Sequence, residues 1–294
     1  MVGIITTLCI TGNHHFIIRG LQLHCERLYA NIKVEVTVLK HYKELAGMQC
    51  FTRADVERVT GNPDAANSLI HNYQKKGLIE SVKRNLFIVI SLETGQAVPN
   101  RYRIASSIND SAYISHHSAF EHYGCANQVF YEVYVSTDKR FATFEYDDIT
   151  YRYVAPRASF GVDEKADGVR VTDMERTVLD AINDFDKIAG FEELLNCLSL
   201  IPYLDEDKLL SYLKQYNKQF LYQKAGYILN HFKDELRLSD KFFSSCELEV
   251  TKSVRYIWRG IQYQPNIFDS RWQMVVPKQP LSLLSQGGNV NAII

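Results

Sequence analysis

The clearest pattern of apolar and polar residues runs from residue 34 to residue 90 and predicts three helices followed by two strands. The first helix has its apolar residues on one side, and Gly47 is expected to end it. Thr52 and Asp55 have the spacing of a capping box at the start of a second helix. Pro63 suits the first turn of a third helix, because its missing N–H has no helical partner there. The apolar side of the first helix comprises Val34, Val38, Leu39, Tyr42 and Leu45.

The third predicted helix is amphipathic, and Gly77 is expected to end it. Two strand-like runs follow at residues 78–82 and 86–90, joined by a turn at 83–85. The order helix, helix, turn, helix, hairpin is that of a winged helix-turn-helix, which we place at residues 34–92. The apolar stripe of the third helix has the spacing i, i+3, i+4, i+7 and comprises Ala66, Leu69, Ile70 and Tyr73.

The opposite side of the third helix carries small and amide side chains at its start and lysines at its end. Amides can bond to base edges and lysines to phosphates, so we expect this surface to bind DNA. A solvated surface, or a winged helix that binds only proteins, remains an alternative. The predicted DNA-binding residues are Thr52, Arg53, Asp64, Asn67, Ser68, His71, Asn72, Lys75, Lys76, Lys83, Arg84 and Asn85.

Residues 93–284 predict a larger mixed domain with an antiparallel sheet and several helices, which makes the whole chain α+β. Ser115 and Thr172 are expected to cap helices, the latter in a capping box with Glu175. Strands are predicted at 129–136, 141–146 and 149–155, where they form an antiparallel meander. A further short strand is predicted at 169–171. Further helices are predicted at 191–200, 205–216 and 220–231, and strand-like runs near 253–263 and 272–276.

The two ends of the chain lack a sustained period. We expect residues 1–33 to form a peripheral or poorly ordered leader, or the natural start to lie further along the chain. Residues 285–294 are expected to form a loose tail. No run reaches the ~18 apolar residues that a membrane helix needs. The first residues lack the basic start and cleavage site of a signal peptide. A cytoplasmic protein without membrane contact is therefore expected.

Composition narrows the class of protein. The 294 residues suggest two domains. With 46% hydrophobic and 23% charged residues, the chain has the composition of a folded globular protein and not of an intrinsically disordered one. The net charge of -1 excludes a strongly basic protein that coats nucleic acid, but allows a local basic patch. The six cysteines form no C-x-x-C pair, so reduced thiols are expected rather than a structural zinc site.

Candidate catalytic groups are sparse. His117 and Glu121, at i and i+4, could bind a metal, but H-E-x-x-H is absent and the sequence indicates no third ligand. We therefore interpret His117, with the nearby His116 and His122, as structural, and expect no metal and no cofactor. The common nucleotide and hydrolase motifs are absent, so no enzyme is predicted. Three acidic pairs are interpreted as turn or strand-surface charges, with a metal-dependent nuclease as the alternative: Asp147–Asp148, Asp163–Glu164 and Glu247 with Glu249.

Three segments in order suggest a family. They are the predicted winged helix at 51–90, the segment Y-I-S-H-H-S-A-F-E-H-Y-G at 113–124, and V-T-D-M-E-R-T-V-L-D at 171–180. Over residues 40–190 the chain resembles the AbiEi-type antitoxins of abortive-infection, or type IV, toxin–antitoxin systems. The resemblance implies a DNA-binding repressor of its own operon that counters a nucleotidyltransferase toxin without a stable complex. It also links the C-terminal domain with antitoxin action.

Two physical expectations accompany this resemblance. Arg176 would lie in the first turn of a helix, where a cation is unfavourable beside the positive end of the helix dipole. We therefore expect a carboxylate partner, Asp173 or Asp180, and a structural role. Since the net charge of the protein is -1, specific binding to double-stranded operator DNA is expected to need two modules on repeated half-sites.

Overall fold

A computed structural model of the chain describes residues 41–283, so the predicted leader at 1–33 and the predicted tail at 285–294 lie outside the described residues. The chain divides into two compact units between Val98 and Pro99. The predicted boundary after residue 92 falls inside the first unit. The segment after residue 90 folds back on its own unit, because the Val98 N–H donates to the Val89 carbonyl. Both units combine helices and strands, which confirms a mixed α+β protein.

The first unit combines described helices with a small sheet. Its elements are α1 at residues 41–48, β1 at Cys50–Phe51, α2 at Arg53–Thr60, α3 at Pro63–Lys75, β2 at Ile79–Lys83 and β3 at Leu86–Val89. The sheet is antiparallel with the order β1–β3–β2. The two-residue β1 was not predicted, because a strand that short shows no alternation.

Local signals set most helix limits in this unit. The capping box of Thr52 and Asp55 is confirmed, and the Asn62 side chain accepts from two backbone N–H groups at the start of α3. The predicted end of α1 at Gly47 is wrong, because the helix continues to residue 48 and Gln49 takes the left-handed conformation (φ 63°). The buried core comprises Leu45, Phe51, Val56, Ala66, Ile70, Tyr73, Ile79 and Val89.

The second unit contains a sheet of six strands in the order β6–β7–β5–β4–β9–β8. The strands are β4 at Tyr113–Ile114, β5 at Glu132–Ser136, β6 at Phe144–Tyr146, β7 at Ile149–Val154, β8 at Val162–Glu164 and β9 at Arg170–Thr172. The predicted antiparallel meander is wrong in part, because β5 pairs with β7 in parallel and β4 pairs with β9 in parallel.

The position of β7 explains the mixed sheet. After β5 the chain passes to the edge, forms β6, and returns through a turn in which Asp147 and Asp148 both have positive φ. Tyr151 and Val154 of β7 are buried, whereas no residue of β6 is. The strand with buried residues is therefore the one at the interior position beside β5. Alternation of residue types predicts a strand, but not its neighbours.

Helices of the second unit bury apolar side chains, most of them in one core. They are α4 at Arg101–Ser106, α5 at His117–His122, α6 at Met174–Asn183, α7 at Phe191–Ser199, α8 at Glu206–Tyr216, α9 at Gln219–Asn230 and α10 at Asp240–Glu247. The three helices predicted at 191–231 are confirmed to within one residue at each end. Helices α4 and α10 were not predicted. No described helix has the length and apolar content that crossing a bilayer requires.

Near the C-terminal end, a small sheet has the order β10–β12–β11. Its strands are β10 at Arg255–Tyr256, β11 at Asn266–Asp269 and β12 at Met274–Pro277. Strand β12 pairs with β10 in parallel and with β11 in antiparallel fashion. Both predicted strand-like regions, 253–263 and 272–276, contain a strand, and β11 is an addition.

Two predicted helix caps are corrected. Asp173, not Thr172, caps α6, since its carboxylate accepts from the Arg176 N–H, while the Thr172 hydroxyl pairs with that of Thr177 at 2.7 Å. His116, not Ser115, precedes α5, and it makes no side-chain cap. The Ser115 hydroxyl instead lies 2.8 Å from the Ser136 hydroxyl, because the preceding strand β4 pairs with β5.

Candidate nucleic-acid interface

Helix α3 has one buried side and one exposed polar side. Ala66, Ile70 and Tyr73 are buried in the core of the first unit. The predicted DNA-binding residues of this segment are all exposed: Asp64, Asn67, Ser68, His71, Asn72, Lys75 and Lys76. The helix therefore presents a continuous polar surface, with amides near its start and lysines at its end.

The turn between β2 and β3 lies beside this helix. Arg84 and Asn85 are exposed and Lys83 is half-buried, and burial lowers the pKa of the Lys83 ammonium group. Asn85 adopts the left-handed conformation (φ 63°), which asparagine tolerates better than most residues. Its side-chain oxygen accepts from the Arg53 backbone N–H at 3.1 Å. This bond fixes the hairpin turn against the start of α2.

Arg53 joins α2 to α3. Its Nε donates to Asn67 Oδ1 at 2.7 Å, and its Nη1 lies 3.3 Å from Glu57 Oε2. The Thr52 hydroxyl donates to Asp55 Oδ2 at 2.7 Å within the capping box. These polar groups form hydrogen bonds with other groups of the protein. Thr52, Arg53 and Asn85 therefore shape the surface on which the exposed residues of α3 stand.

A groove runs between α3 and the hairpin and brings five of the predicted residues together. Its lining comprises Arg53, Asn67, Ile70, His71, Gln74, Arg84, Asn85 and Phe87. Gln74 and Phe87 were not predicted from the sequence. Gln74 follows Asn67 by seven residues and His71 by three, so its helical spacing could have indicated the same side of α3. Lys75 and Lys76 lie outside the lining of the groove.

Charge in this region differs in sign from the whole chain. Residues 41–90 contain seven Lys and Arg against five Asp and Glu, a net charge of +2, whereas the whole chain has a net charge of -1. Four of the seven basic residues are those at the end of α3 and in the hairpin: Lys75, Lys76, Lys83 and Arg84. The local excess is modest, so its attraction for a polyanion depends on how closely these groups are gathered.

The third family-like segment forms a buried polar network in the second unit. Arg176 is 1% exposed, and its Nε donates to Asp180 Oδ2 at 2.7 Å. The Tyr216 hydroxyl donates to the other oxygen of Asp180 at 2.5 Å, and Arg176 Nη1 donates to the Phe160 carbonyl at 2.5 Å. The predicted carboxylate partner of Arg176 is confirmed as Asp180. These contacts hold α6 against α8 and favour a structural role.

His117 lies in the core of the second unit rather than at its surface. Its Nδ1 is 3.7 Å from Glu121 Oε1, the pair noted in the sequence, and its Nε2 is 3.3 Å from Glu193 Oε1. Among residues 41–283, the one group with the spacing of metal ligands comprises His117, Glu193 and Cys197. The three acidic pairs predicted as turn or surface charges contribute to no such group within this range.

Comparisons with known proteins bear on the fold alone. No family model matches this chain, and no curated protein does either. The crystal structure of the RV2827C protein from Mycobacterium tuberculosis is similar, with a TM-score of 0.58 and 15% sequence identity. The match covers 86% of this chain and 95% of that chain. The matched share of this chain is larger than either of its two units, so the match includes residues of both units.

Proposed function

We propose that residues 41–90 form a winged helix-turn-helix that binds double-stranded DNA. The order of α1, β1, α2, α3 and the β2–β3 hairpin supports this interpretation, and so does the pairing of β1 with β3. The division of α3 into a buried and an exposed side is the main support for DNA binding. The apolar stripe of this helix is buried, and its polar side is exposed beside a groove that ends at a basic turn.

In the proposed complex, α3 enters the major groove. Asn67, Ser68, His71 and Asn72 lie near base edges, where amides and hydroxyls can discriminate base pairs. Lys75, Lys76, Lys83 and Arg84 contact phosphates. Asp64, in the first turn of α3, is an acceptor that can bond to the amino group of a cytosine. Arg53 and Asn85 hold α2, α3 and the hairpin turn in one arrangement.

We propose further that the protein is a transcriptional autorepressor and the antitoxin of a type IV toxin–antitoxin system. The resemblance of residues 40–190 to AbiEi-type antitoxins supports this part. The first unit would bind repeated half-sites upstream of the operon, and the second unit would counter a nucleotidyltransferase toxin. No stable complex with the toxin is required.

Anisotropy of a labelled duplex tests DNA binding directly. The full chain is titrated into DNA from upstream of its own gene, and into a shuffled duplex, at several salt concentrations. Lys83→Ala combined with Arg84→Ala should weaken binding to both duplexes and lower the salt slope by about 2, because two phosphate contacts are lost. The control, Lys214→Ala with Lys241→Ala, makes the same charge change at exposed positions of α8 and α10.

The outcomes separate the candidate functions. Unchanged affinity in the Lys83/Arg84 variant removes the hairpin from the interface. Absence of DNA binding at low salt, together with capture of a co-encoded protein by residues of α3, would favour a protein-interaction module. Antitoxin action is tested by growth of cells that express the neighbouring nucleotidyltransferase gene. Growth should recover when this chain is co-expressed, and toxicity that persists would contradict the antitoxin role.

A further inference from the structure

A buried cluster of metal-ligand side chains links α5 to α7 in the second unit. His117 and Cys197 are fully buried, and Glu193 is 3% exposed. One ligand atom from each lies within 4.8 Å of the others. The distances to Glu193 Oε1 are 3.3 Å from His117 Nε2 and 3.6 Å from Cys197 Sγ. A tetrahedral zinc ion with bonds of about 2.0–2.3 Å holds its ligand atoms about 3.3–3.8 Å apart, so the cluster is close to that spacing.

Hydrogen bonding in the cluster is incomplete. Glu193 Oε2 and His117 Nδ1 are buried and have no hydrogen-bond partner. Glu193 Oε1, by contrast, accepts from the Asn127 N–H at 3.2 Å. Buried polar atoms are nearly always satisfied, so an unpartnered carboxylate oxygen beside a thiol and an imidazole needs an explanation. A cation that the Glu193 carboxylate binds through both of its oxygens, together with the thiol and the imidazole, would supply it.

The surroundings of His117 resemble the outer shell of a metal site. A metal-bound histidine usually donates its second ring N–H to a carboxylate. Glu121 Oε1 lies 3.7 Å from His117 Nδ1 and can take that part. Glu121 is itself fixed, because Arg101 pairs with it at 3.0 Å and the Phe130 N–H donates to it at 2.7 Å. The imidazole also stacks on the Phe130 ring at 3.6 Å, which orients Nε2 toward α7.

We propose that His117, Glu193 and Cys197 bind one divalent transition-metal ion, with zinc as the best fit. A thiolate, an imidazole and a carboxylate are all accepted zinc ligands, and the two anionic groups balance the charge of the ion. Glu193 and Cys197 are four residues apart on α7, so both side chains leave the same side of the helix. The ion fastens α5 to α7 and stabilises the second unit.

Cobalt(II) alone is the probe for this site, because it occupies zinc sites and absorbs visible light. The full chain is treated with chelator, dialysed and titrated with Co²⁺. The expected result is one ion per chain, a sulfur-to-cobalt charge-transfer band, and loss of that band when Zn²⁺ is added. Cys197→Ser should abolish the band. Cys246→Ser is the matched control, since Cys246 is fully buried on α10 but outside the cluster.

Thermal unfolding gives a second readout. Zn²⁺ should raise the melting temperature of the wild type and of Cys246→Ser, because it binds the folded state, and should leave Cys197→Ser unchanged. Folded wild type without a cobalt–thiolate band overturns the proposal, whether or not the variants fold. The same band in Cys197→Ser also overturns it, because the ion is then held elsewhere. Neither result depends on DNA binding, which concerns the first unit.

Discussion

Two buried cations of the second unit, Arg176 and Lys224, are stabilised in different ways. Arg176 is paired with the Asp180 carboxylate and donates to backbone carbonyls. Lys224 is 8% exposed, its Nζ donates to the Ile182 carbonyl at 3.3 Å, and it lies 4.3 Å from the centre of the Phe185 ring. Within the described part of the chain Lys224 has no ion pair. The two residues should therefore respond in opposite directions to loss of charge.

Replacement of Arg176 should be strongly destabilising. Arg176→Met leaves the Asp180 carboxylate buried without its cation, and such a loss costs about 3–5 kcal/mol. Urea unfolding followed by circular dichroism measures the change. Arg152→Met, which removes an exposed pair with Glu132, is the control and should cost less than about 1 kcal/mol. Equal and small losses in both variants would contradict a structural role for Arg176.

Replacement of Lys224 should be stabilising near neutral pH. Burial lowers the pKa of Lys224 from 10.5 to about 8, so the folded state disfavours its charged form. Between these values the unfolded chain binds more protons, and the stability of the wild type rises with pH. Lys224→Met removes that cost, which is up to about 3 kcal/mol below pH 8. Urea unfolding at pH 7 to 10 should show the advantage of the variant shrinking as pH rises. A constant difference would contradict it.

Single residues were predictable where their partners are near in sequence. Asp180 lies four residues from Arg176, so helical spacing alone brought it into reach. Glu193 and Cys197 lie more than seventy residues after His117, and no local pattern connects them. The DNA-binding residues stay a prediction, and only their grouping on one surface could be compared with the structure. Most of these residues share one helix and the hairpin that follows, so periodicity was enough to group them.

At the scale of whole elements, close packing of α9 against the C-terminal sheet depends on a glycine. A Cβ atom on Gly226 would overlap the indole ring of Trp272, which is 2% exposed. Gln223 lies on the same helix as Gly226, and its side chain donates to the Trp272 carbonyl at 2.9 Å. The helix and the strand region therefore approach more closely than any larger residue at position 226 allows.

Gly226→Ala should consequently destabilise the protein by about 1–3 kcal/mol, the usual cost of overpacking a core. Gly47→Ala is the matched control, because a Cβ at position 47 meets nothing within 4 Å and the residue lies inside α1. That change should be neutral or stabilise by about 0.5–1 kcal/mol. Differential scanning calorimetry of both variants measures the two effects. A stabilised Gly226→Ala would refute this account of the packing.

The limits of several helices followed from the sequence, whereas sheet order did not. Caps and apolar periods are local, which is why the limits of α3 and of the helices from 191 to 231 were predictable. Parallel pairing of β5 with β7 depends on which strand is buried deeper, a property of the assembled sheet. Helix α4 is only six residues long, although Asn100 caps its start. Short elements give too few turns for a period to be visible.

The two units of the molecule differ in where their polar and charged side chains lie. The first unit offers an exposed polar and basic surface on α3 and its hairpin. The second unit buries a small set of charged groups, in the network around Arg176 and in the cluster around His117. The proposed function assigns DNA recognition to the first unit and antitoxin action to the second. The similar solved structure supports the fold of this chain, and it gives no information on the function.

The affinity ratio between upstream and shuffled duplexes, measured by anisotropy at one salt concentration, shows whether α3 reads the base sequence. The wild type should prefer the upstream duplex. His71→Ala with Asn72→Ala should reduce that preference about tenfold or more, because base-edge contacts are lost while phosphate contacts remain. Gln215→Ala on α8 should leave it unchanged. A wild type without preference, or a variant that keeps the full ratio, would contradict the assignment of α3 as the DNA-recognition helix.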